Sequence, residues 1–314
     1  MTLNPSLDYV VLPEPAFVPG ALNRCGEGQI LPGGKGINVS VCLAHFGCDT
    51  RAFAMAGGFT GKEIERLTEA QGVPCRFIET EHGISRINVK IRGANGPETE
   101  INASGPAIRQ EELQELTEAL VTGLSAEGEH FLVLSGSVPK GLSKTVYADL
   151  MRACAHTGAN VVADTSGEAF LAVLPLHPFL VKPNHHELGE IFGVTVETHE
   201  DAIRYGRELQ KMGARNVLVS MGGLGAVLVT EDGRSMSCKA LNGVVINTVG
   251  AGDSMVAGFL YGYGKRGDGD RMERAFAYGV CAGSASAFSY DLATLEEVES
   301  LLARENGKIV VRPI

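Results

Sequence analysis

A regular alternation of amphipathic and wholly apolar segments is the feature of the sequence that most constrains the fold. Predicted helices pair with short apolar runs as 110–122 with 131–134, 144–156 with 160–163, and 201–212 with 216–219, and a strand at 179–181 precedes a helix at 185–192. Strands without polar positions are buried on both faces, which is typical of a parallel sheet covered by helices on either side. Further helices are predicted at 37–46, 62–71, 252–263, 272–288 and 295–304, and further strands at 51–56 and 309–311. We therefore predict a doubly wound α/β domain with a mostly parallel central sheet.

Two stretches, roughly 8–31 and 84–103, do not follow this rhythm. Between 84 and 91 polar residues such as Arg86 and Asn88 alternate with apolar ones, and Gly-Ala-Asn-Gly at 93–96 is a hairpin signature before a second run at 98–103. We expect a small second sheet with one polar face. Such a sheet beside the end of a parallel sheet is typical of a lid over a ligand. The predicted organisation is one domain, 1–314, that carries this lid.

Composition excludes several classes of function. The chain has 27 Lys and Arg against 37 Asp and Glu, a net charge of −10. We therefore expect no nucleic-acid or membrane partner, and an anionic small molecule would need a local cluster of cations. Seven cysteines without a C-x-x-C pair predict neither a disulfide framework nor a zinc site, and they favour a reducing cytoplasm. No signal peptide and no apolar window of membrane-spanning length is predicted.

The segment 247–254, Asn-Thr-Val-Gly-Ala-Gly-Asp-Ser, is the strongest candidate site. Three small residues lead into an apolar helix, so several backbone N–H groups and the helix dipole favour an anion there. Asp253 lies in the predicted first turn, where its carboxylate can accept a proton from a substrate hydroxyl that attacks a phosphoryl group. Taken alone, the segment also fits a glycine-rich helix start with an ordinary N-terminal charge.

Three weaker motifs accompany it. Lys35 and Asn38 lie three residues apart after Gly33 and Gly34, so both can point from a first helical turn to one ligand, although a tight turn with a solvated Lys fits equally. Asn184 and Glu187 share that spacing after a strand and suit the water shell of Mg²⁺. The run 220–225, Ser-Met-Gly-Gly-Leu-Gly, follows another strand and suits either a nucleotide or an ordinary turn. No P-loop and no dinucleotide fingerprint is present.

These motifs, in this order, resemble the ribokinase-like (PfkB) family of sugar kinases along essentially the whole chain. Gly-Gly-x-x-x-Asn at 33–38, Asn-x-x-Glu at 184–187 and Asn-Thr-x-Gly-Ala-Gly-Asp at 247–253 carry the resemblance. Within the family the 1-phosphofructokinases are most similar, on 2–8, 34–39, 85–90 and 134–139, and tagatose-6-phosphate kinases follow. The chain departs from the usual pattern at Ser85, where Thr is common, and at 102–106, where two residues of Asn-Gly-Pro-Gly-Pro differ.

The resemblance implies roles for particular residues. It implies that Asp253 is the catalytic base and that Gly250, Ala251 and Gly252 form the anion hole. It implies that the substrate is bound by Asp8, Arg24, Gly34, Lys35, Asn38, Arg86 and Asn88. It implies that ATP is bound by Lys182, Asn184, Ser220, Gly222, Gly225 and Thr248, with Mg²⁺ held through water by Asn184 and Glu187. Lys35 and Arg86, expected at the sugar phosphate, would supply the local positive charge.

The implied fold is a three-layer α/β/α ribokinase-like domain with a β-sheet lid. The implied reaction is ATP- and Mg²⁺-dependent phosphorylation of the C6 hydroxyl of fructose 1-phosphate by a cytoplasmic enzyme that forms a homodimer through its lid. Tagatose-6-phosphate kinase and 6-phosphofructokinase activities are alternatives, because they share the catalytic motif. A non-catalytic sugar-phosphate sensor is a further alternative, against which the presence of Asp253 and the glycine run argues.

Overall fold

The computed structural model describes residues 1–14, 16–91, 99–304 and 310–312. Its strands are β1 Ser6–Val11, β2 Gln29–Gly33, β3 Ala52–Gly57, β4 Cys75–Thr80, β5 Arg86–Ile91, β6 Thr99–Asn102, β7 Phe131–Ser135, β8 Asn160–Asp164, β9 Leu180–Val181, β10 Asn216–Ser220, β11 Ala226–Val229, β12 Ser235–Cys238 and β13 Val310–Arg312. Its α-helices are α1 Lys35–His45, α2 Gly58–Ala70, α3 Gln110–Leu124, α4 Val146–Cys154, α5 Gly167–Val173, α6 His185–Phe192, α7 His199–Lys211, α8 Ala251–Gly264, α9 Arg271–Ala287 and α10 Leu295–Arg304.

The central sheet has the order β13-β12-β11-β10-β9-β8-β7. Strands β7 to β10 run parallel, and β11 to β13 add an antiparallel edge. The N-terminal residues extend the sheet beyond β7, because Ser135 N donates to Met1 O at 3.1 Å and Thr2 N donates to Phe53 O at 3.0 Å. Strand β3 then pairs in parallel with β4. The prediction of an α/β fold with a mostly parallel sheet is confirmed.

Alternate residues of the central strands belong to two separate cores. In β10, Val217 and Val219 pack into the core beneath α3 to α7, whereas Leu218 packs into the core beneath α1, α8, α9 and α10. All three side chains are fully buried. Burial on both faces is the reason why these strands carry no polar alternation. The result is a three-layer α/β/α arrangement.

Helix starts explain several differences from the predicted boundaries. Helix α7 begins at His199 instead of 201, because the Thr198 side chain accepts a hydrogen bond from Asp201 N at 3.0 Å and caps the first turn. Helix α2 begins at Gly58 instead of 62, directly after β3. In both cases the predicted element exists and its first turn was missed.

A separate four-stranded sheet has the order β2-β1-β5-β6, with β1 parallel to β5 and the other pairs antiparallel. The predicted turn at 93–96 lies outside the described residues. One face of β5 is polar, as predicted, and this polar face is the covered one: Asn88 and Lys90 are buried, whereas Ile87 is exposed. Among the described helices, none is long and apolar enough to cross a membrane.

Candidate active site

The start of α8 forms a turn that only glycine fits. Gly250 has a φ of 77°, and a Cβ there would lie 2.6 Å from Leu292 Cδ2. Ser254 N donates to Gly250 O at 2.8 Å, and Ala251 N makes a longer bond of 3.3 Å to Thr248 O. Within the described residues, the amides of Gly252 and Asp253 donate to no backbone acceptor, as is usual for a first helical turn. Two N–H groups and the helix dipole are therefore available to an anion.

Asp253 is buried directly beside these amides. Its Oδ2 accepts a hydrogen bond of 2.8 Å from Asn38 Nδ2, which lies on the first turn of α1. Burial raises the pKa of Asp253 to about 6, with a further contribution from the negative charge of Asp164, while Lys35, Asn38 and Lys182 oppose the shift. A carboxylate with this pKa is ionised at neutral pH and is a stronger base than an exposed Asp.

Asp164, which was not predicted as a site residue, holds two lysines next to Asp253. It ends β8, is fully buried, and its Oδ1 lies 2.9 Å from Lys35 Nζ and 3.5 Å from Lys182 Nζ. Burial opposes ionisation of Asp164, but the two lysines outweigh it and lower its pKa. A Cβ at Gly252 would lie 3.2 Å from Lys182 Nζ, so this ammonium lies at the start of α8. Lys35 and Lys182 therefore lie together beside the candidate base.

The polar face of the small sheet presents Asp8 to the same region. Asp8 Oδ1 accepts from Ser6 Oγ at 2.5 Å and from Asn88 Nδ2 at 3.0 Å, and Lys90 Nζ lies 2.9 Å from Oδ2. Gly33 leaves space for this carboxylate, since a Cβ there would lie 2.6 Å from Asp8 Cγ. A cavity of about 420 Å³ separates this sheet from α1 and the 290–294 loop. Asp8, Asn38 and Lys90 are among the residues that line it, whereas Asp253 is not.

Arg86 occupies a different part of this face. Its Nε donates to Asn4 O at 3.1 Å, and Asn4 Nδ2 donates to Ser137 Oγ at 3.2 Å. Burial lowers the pKa of Arg86. Arg24 is exposed in the loop between β1 and β2, where its backbone O accepts a hydrogen bond from Glu14 N at 3.1 Å. Gly34, the residue before α1, has a φ of 127°. A Cβ at this position would lie 3.4 Å from Pro5 Cα.

The predicted nucleotide residues lie at the ends of β9 and β10. Asn184 forms a bridge with Ser220, and Ser220 N donates to Pro183 O at 3.2 Å. Gly222 and Gly225 have φ values of 53° and 99°, so the loop after β10 needs glycine at both positions. Lys182 directly follows β9, and its ammonium group lies near Gly252. Thr248 is exposed in the loop before α8.

The Asn-x-x-Glu motif has a local structural role. Asn184 Oδ1 accepts from Glu187 N at 2.9 Å and Glu187 Oε2 accepts from Asn184 N at 2.8 Å, which is a capping box for α6. No hydrogen bond of the described residues uses the other carboxylate oxygen of Glu187, Oε1, so this oxygen is available to a ligand. Among the described residues there is no cluster of three or more His, Cys, Asp or Glu side chains that could enclose a metal ion.

Sequence reasoning missed Asp164, Asn4, Ser137 and Lys90. A signal existed for Asp164, because it directly follows the predicted strand 160–163 at the carboxyl edge of a parallel sheet. A signal also existed for Lys90, which continues the polar alternation of Arg86 and Asn88. Asn4 and Ser137 lie within the stretches 2–8 and 134–139, but no spacing rule distinguishes them there.

Known proteins are similar to this chain along nearly its whole length. A family model described as "pfkB family carbohydrate kinase" matches residues 1–298. The chain is 44% identical over 302 residues to 1-phosphofructokinase of Bacillus subtilis, covering 96% of each chain. It is 34% identical over 299 residues to D-tagatose-1-phosphate kinase of Bacillus licheniformis, covering 95% of each. A crystal structure of phosphofructokinase-2 from Escherichia coli in complex with substrates and products has a TM-score of 0.87 at 30% identity, covering 96% of this chain and 98% of that one.

Proposed function

Because the chain belongs to the pfkB family of carbohydrate kinases, we propose that it transfers the terminal phosphoryl group of ATP to the C6 hydroxyl of fructose 1-phosphate. The products are fructose 1,6-bisphosphate and ADP. The observation that carries the proposal is the buried Asp253 beside two available amides at the start of α8. The substrate assignment is supported by the 44% identity to a 1-phosphofructokinase.

Asp253 removes the proton of the sugar hydroxyl as this oxygen attacks phosphorus. Its pKa of about 6 leaves it ionised at neutral pH, and the Asn38 amide fixes its orientation. Negative charge on the transferring group is stabilised by the amides at 250–253 and by the ammonium groups of Lys182 and Lys35. Ala251 contributes least to this hole, because its N–H already bonds to Thr248 O.

The sugar phosphate binds between the α/β domain and the four-stranded sheet, which acts as the lid of a single domain, 1–314. Asp8 accepts hydrogen bonds from sugar hydroxyls, and its contacts with Ser6, Asn88 and Lys90 fix its orientation. Arg86 binds the 1-phosphate with the two terminal nitrogens that its bond to Asn4 leaves available. Closure of this sheet over the sugar excludes water as a competing acceptor.

ATP binds along the ends of β9 and β10, where glycines at 222 and 225 permit a close approach to the backbone. The residues fit Mg²⁺, because Glu187 retains one carboxylate oxygen and Asn184 lies beside it, and hard oxygen donors suit this ion. Bound Mg²⁺ would neutralise charge on the nucleotide phosphates and hold its water shell at Glu187. The capping box keeps that carboxylate in place.

The enzyme forms a homodimer through the outer face of the lid. A row of paired residues crosses all four strands there: Ile30, Tyr9, Val89 and Ile101. In the single chain Ile30 is 50% exposed and Ile101 is 57% exposed. An exposed apolar face of this kind is typical of a protein–protein contact. The wild type is expected at twice the chain mass of 33.1 kDa in light scattering. Ile101→Lys should shift it toward monomer, whereas Leu171→Lys on α5 should not.

The seven free thiols support a reducing, cytoplasmic location.

A second candidate is phosphorylation of tagatose 1-phosphate, which the 34% identity to a D-tagatose-1-phosphate kinase favours. Tagatose differs from fructose in the configuration at C4, so both sugars present the same C6 hydroxyl. Measurement of kcat/KM for fructose 1-phosphate, tagatose 1-phosphate, fructose 6-phosphate and tagatose 6-phosphate with ATP decides between them. Fructose 1-phosphate is expected to give the highest value, and a higher value for any other sugar would refute the assignment.

A further inference from the structure

Four charged groups lie together at the reaction centre: Asp253, Asp164, Lys35 and Lys182. Each comes from a different element, since Lys35 starts α1, Asp164 ends β8, Lys182 follows β9 and Asp253 lies in the first turn of α8. Both lysines bond to the same carboxylate oxygen, Oδ1 of Asp164. Asp164 Oδ2 is buried and has no hydrogen-bond partner among the described residues.

We propose that Asp164 is a positioning residue that holds Lys35 and Lys182 as a pair beside the amides of α8, so that both ammonium groups meet the transferring phosphoryl group. This inference rests on the proposed kinase function and assigns a role that the family motifs do not. Asp164 acts through the lysines and does not touch the substrate.

The geometry favours this role over a purely structural ion pair. A fully buried carboxylate is a poor source of stability, because desolvation offsets the attraction. Two ammonium groups that share one oxygen also repel each other, so their proximity depends on Asp164. Lys35, Lys182 and Asp164 together carry one net positive charge, which faces Asp253 and the amides of the anion site.

The arrangement fits phosphoryl transfer because charge in that reaction spreads over several oxygens of the moving group. Two cations and two amides, already oriented, need no rearrangement when that charge develops. Lys182 is near Gly252, and Lys35 shares the first turn of α1 with Asn38, the hydrogen-bond partner of Asp253. Asp164 therefore fixes both lysines relative to the Asp253 carboxylate and to the amides at the start of α8.

Asp164→Asn tests this role, because the amide keeps the shape and loses the charge. With ATP and sugar both saturating, kcat should fall about 10- to 100-fold, the range expected when catalytic groups are displaced by about an ångström. KM for each substrate should change less than about threefold. Asp149→Asn, an exposed carboxylate that pairs with Arg152 at 2.7 Å, is the matched control and should leave all parameters unchanged.

The pH profile shows whether the Asp164 charge acts on Asp253, whereas the fall in kcat at nearly constant KM distinguishes positioning of the lysines from a structural role. Asp253 is faced by Lys35 and Asn38 from α1, Asp164 from β8 and Lys182 after β9, with Glu187 of α6 acting on Lys35. Loss of the Asp164 charge removes a negative neighbour and leaves two lysines uncompensated, and both changes lower the pKa of Asp253. The acid limb of kcat/KM should move to lower pH by at least about half a unit.

A double variant keeps the test decisive if Asp164→Asn folds poorly. Asp164→Asn combined with Lys35→Met removes one charge of each sign, and its kcat should exceed the product of the two single effects by at least about tenfold, because both changes disrupt one unit. If Asp164→Asn does not fold, the double variant is compared with Lys35→Met alone. Their kcat values should differ less than about threefold, because Lys35→Met already disrupts the unit that Asp164 holds.

The proposal would be overturned by a kcat of Asp164→Asn within twofold of wild type or by an unmoved acid limb. Full recovery of kcat at raised Mg²⁺ would also overturn it, because the carboxylate would then be a metal site. A double variant that shows multiplicative losses, or that falls well below Lys35→Met, would also overturn it. Failure of the kinase assignment is distinguishable, because the wild type itself would then not phosphorylate fructose 1-phosphate. The variants would in that case be measured with the preferred phosphosugar.

Discussion

Replacement of Arg86 tests the proposed phosphate site. Its Nε already donates to Asn4 O at 3.1 Å, which fixes the side chain and leaves the two terminal nitrogens for a phosphate. These can form two parallel charge-assisted hydrogen bonds, an arrangement that an ammonium group cannot copy. Arg86 is half-buried, and this burial lowers its pKa. Partial shielding from water strengthens hydrogen bonds between the guanidinium and a phosphate.

The expected magnitude follows from these bonds. Hydrogen bonds to charged groups contribute ~1.5–3 kcal/mol, which corresponds to about 10- to 150-fold in affinity. Arg86→Ala should raise KM for fructose 1-phosphate by this factor and leave KM for ATP nearly unchanged, since the proposed nucleotide-binding residues lie at the ends of β9 and β10. Arg86→Lys should recover only part of the loss. Arg76→Ala, at an exposed arginine of β4 that pairs with Glu115 at 3.1 Å, is the matched control.

Steady-state kinetics with fructose 1-phosphate and with free fructose separate recognition from structure. Free fructose lacks the phosphate, so its low activity should be almost insensitive to Arg86→Ala. An equal loss on both sugars would show that Arg86 only supports Asn4 and Ser137, and would refute the assignment. Thermal unfolding of each variant reports how much the bond to Asn4 O matters to the fold.

Asp253→Asn preserves shape and removes the base, so kcat should fall by ~10²–10⁴-fold while ATP still binds in a titration; retention of more than about a tenth of kcat would show that another group is the base. Because the pKa of Asp253 is raised to about 6 and the base must be ionised, wild-type kcat/KM should be flat above that pH and fall tenfold per unit below it; a flat profile down to pH 5 would contradict this. A thiol reagent should titrate seven cysteines in denaturant without reductant, and in the native protein Cys25, the exposed one, should react first. Five or fewer thiols in fresh protein would show a disulfide.

The parallel core could be predicted from sequence because its strands are apolar on both faces. Strands that violate this rule were missed. Strand β12 is fully buried but contains Ser235 and Ser237, so it does not appear apolar. Strand β4 lies against α2 and α3 and keeps Arg76 and Glu79 exposed, and α5 has only seven residues, too few for a helical period. The alternation in β5 was predicted, but which face is covered depends on tertiary contacts that no local pattern contains.

The candidate site was predictable where one turn contains its chemistry and unpredictable where distant elements meet. The segment 247–254 and the first turn of α1 carry their own signals. Asp164 meets Lys35, 129 residues away in sequence, only after the sheet has formed. Asp164 ends β8 and Lys182 follows β9, and these two strands pair directly, Ala163 with Val181, so the strand order would have brought them together had it been known. The exposed position of Arg24 was equally beyond local reasoning.

The central claim is that this chain phosphorylates the C6 hydroxyl of fructose 1-phosphate by means of Asp253. ³¹P nuclear magnetic resonance of the reaction with ATP and Mg²⁺ tests it most directly, because it follows both phosphate positions of the sugar and the fate of ATP. The prediction is a new phosphomonoester signal coupled to the C6 protons, an unchanged 1-phosphate, an equal amount of ADP, and loss of the signal in Asp253→Asn. Release of inorganic phosphate without a new sugar ester, or phosphorylation at another carbon, would contradict the account.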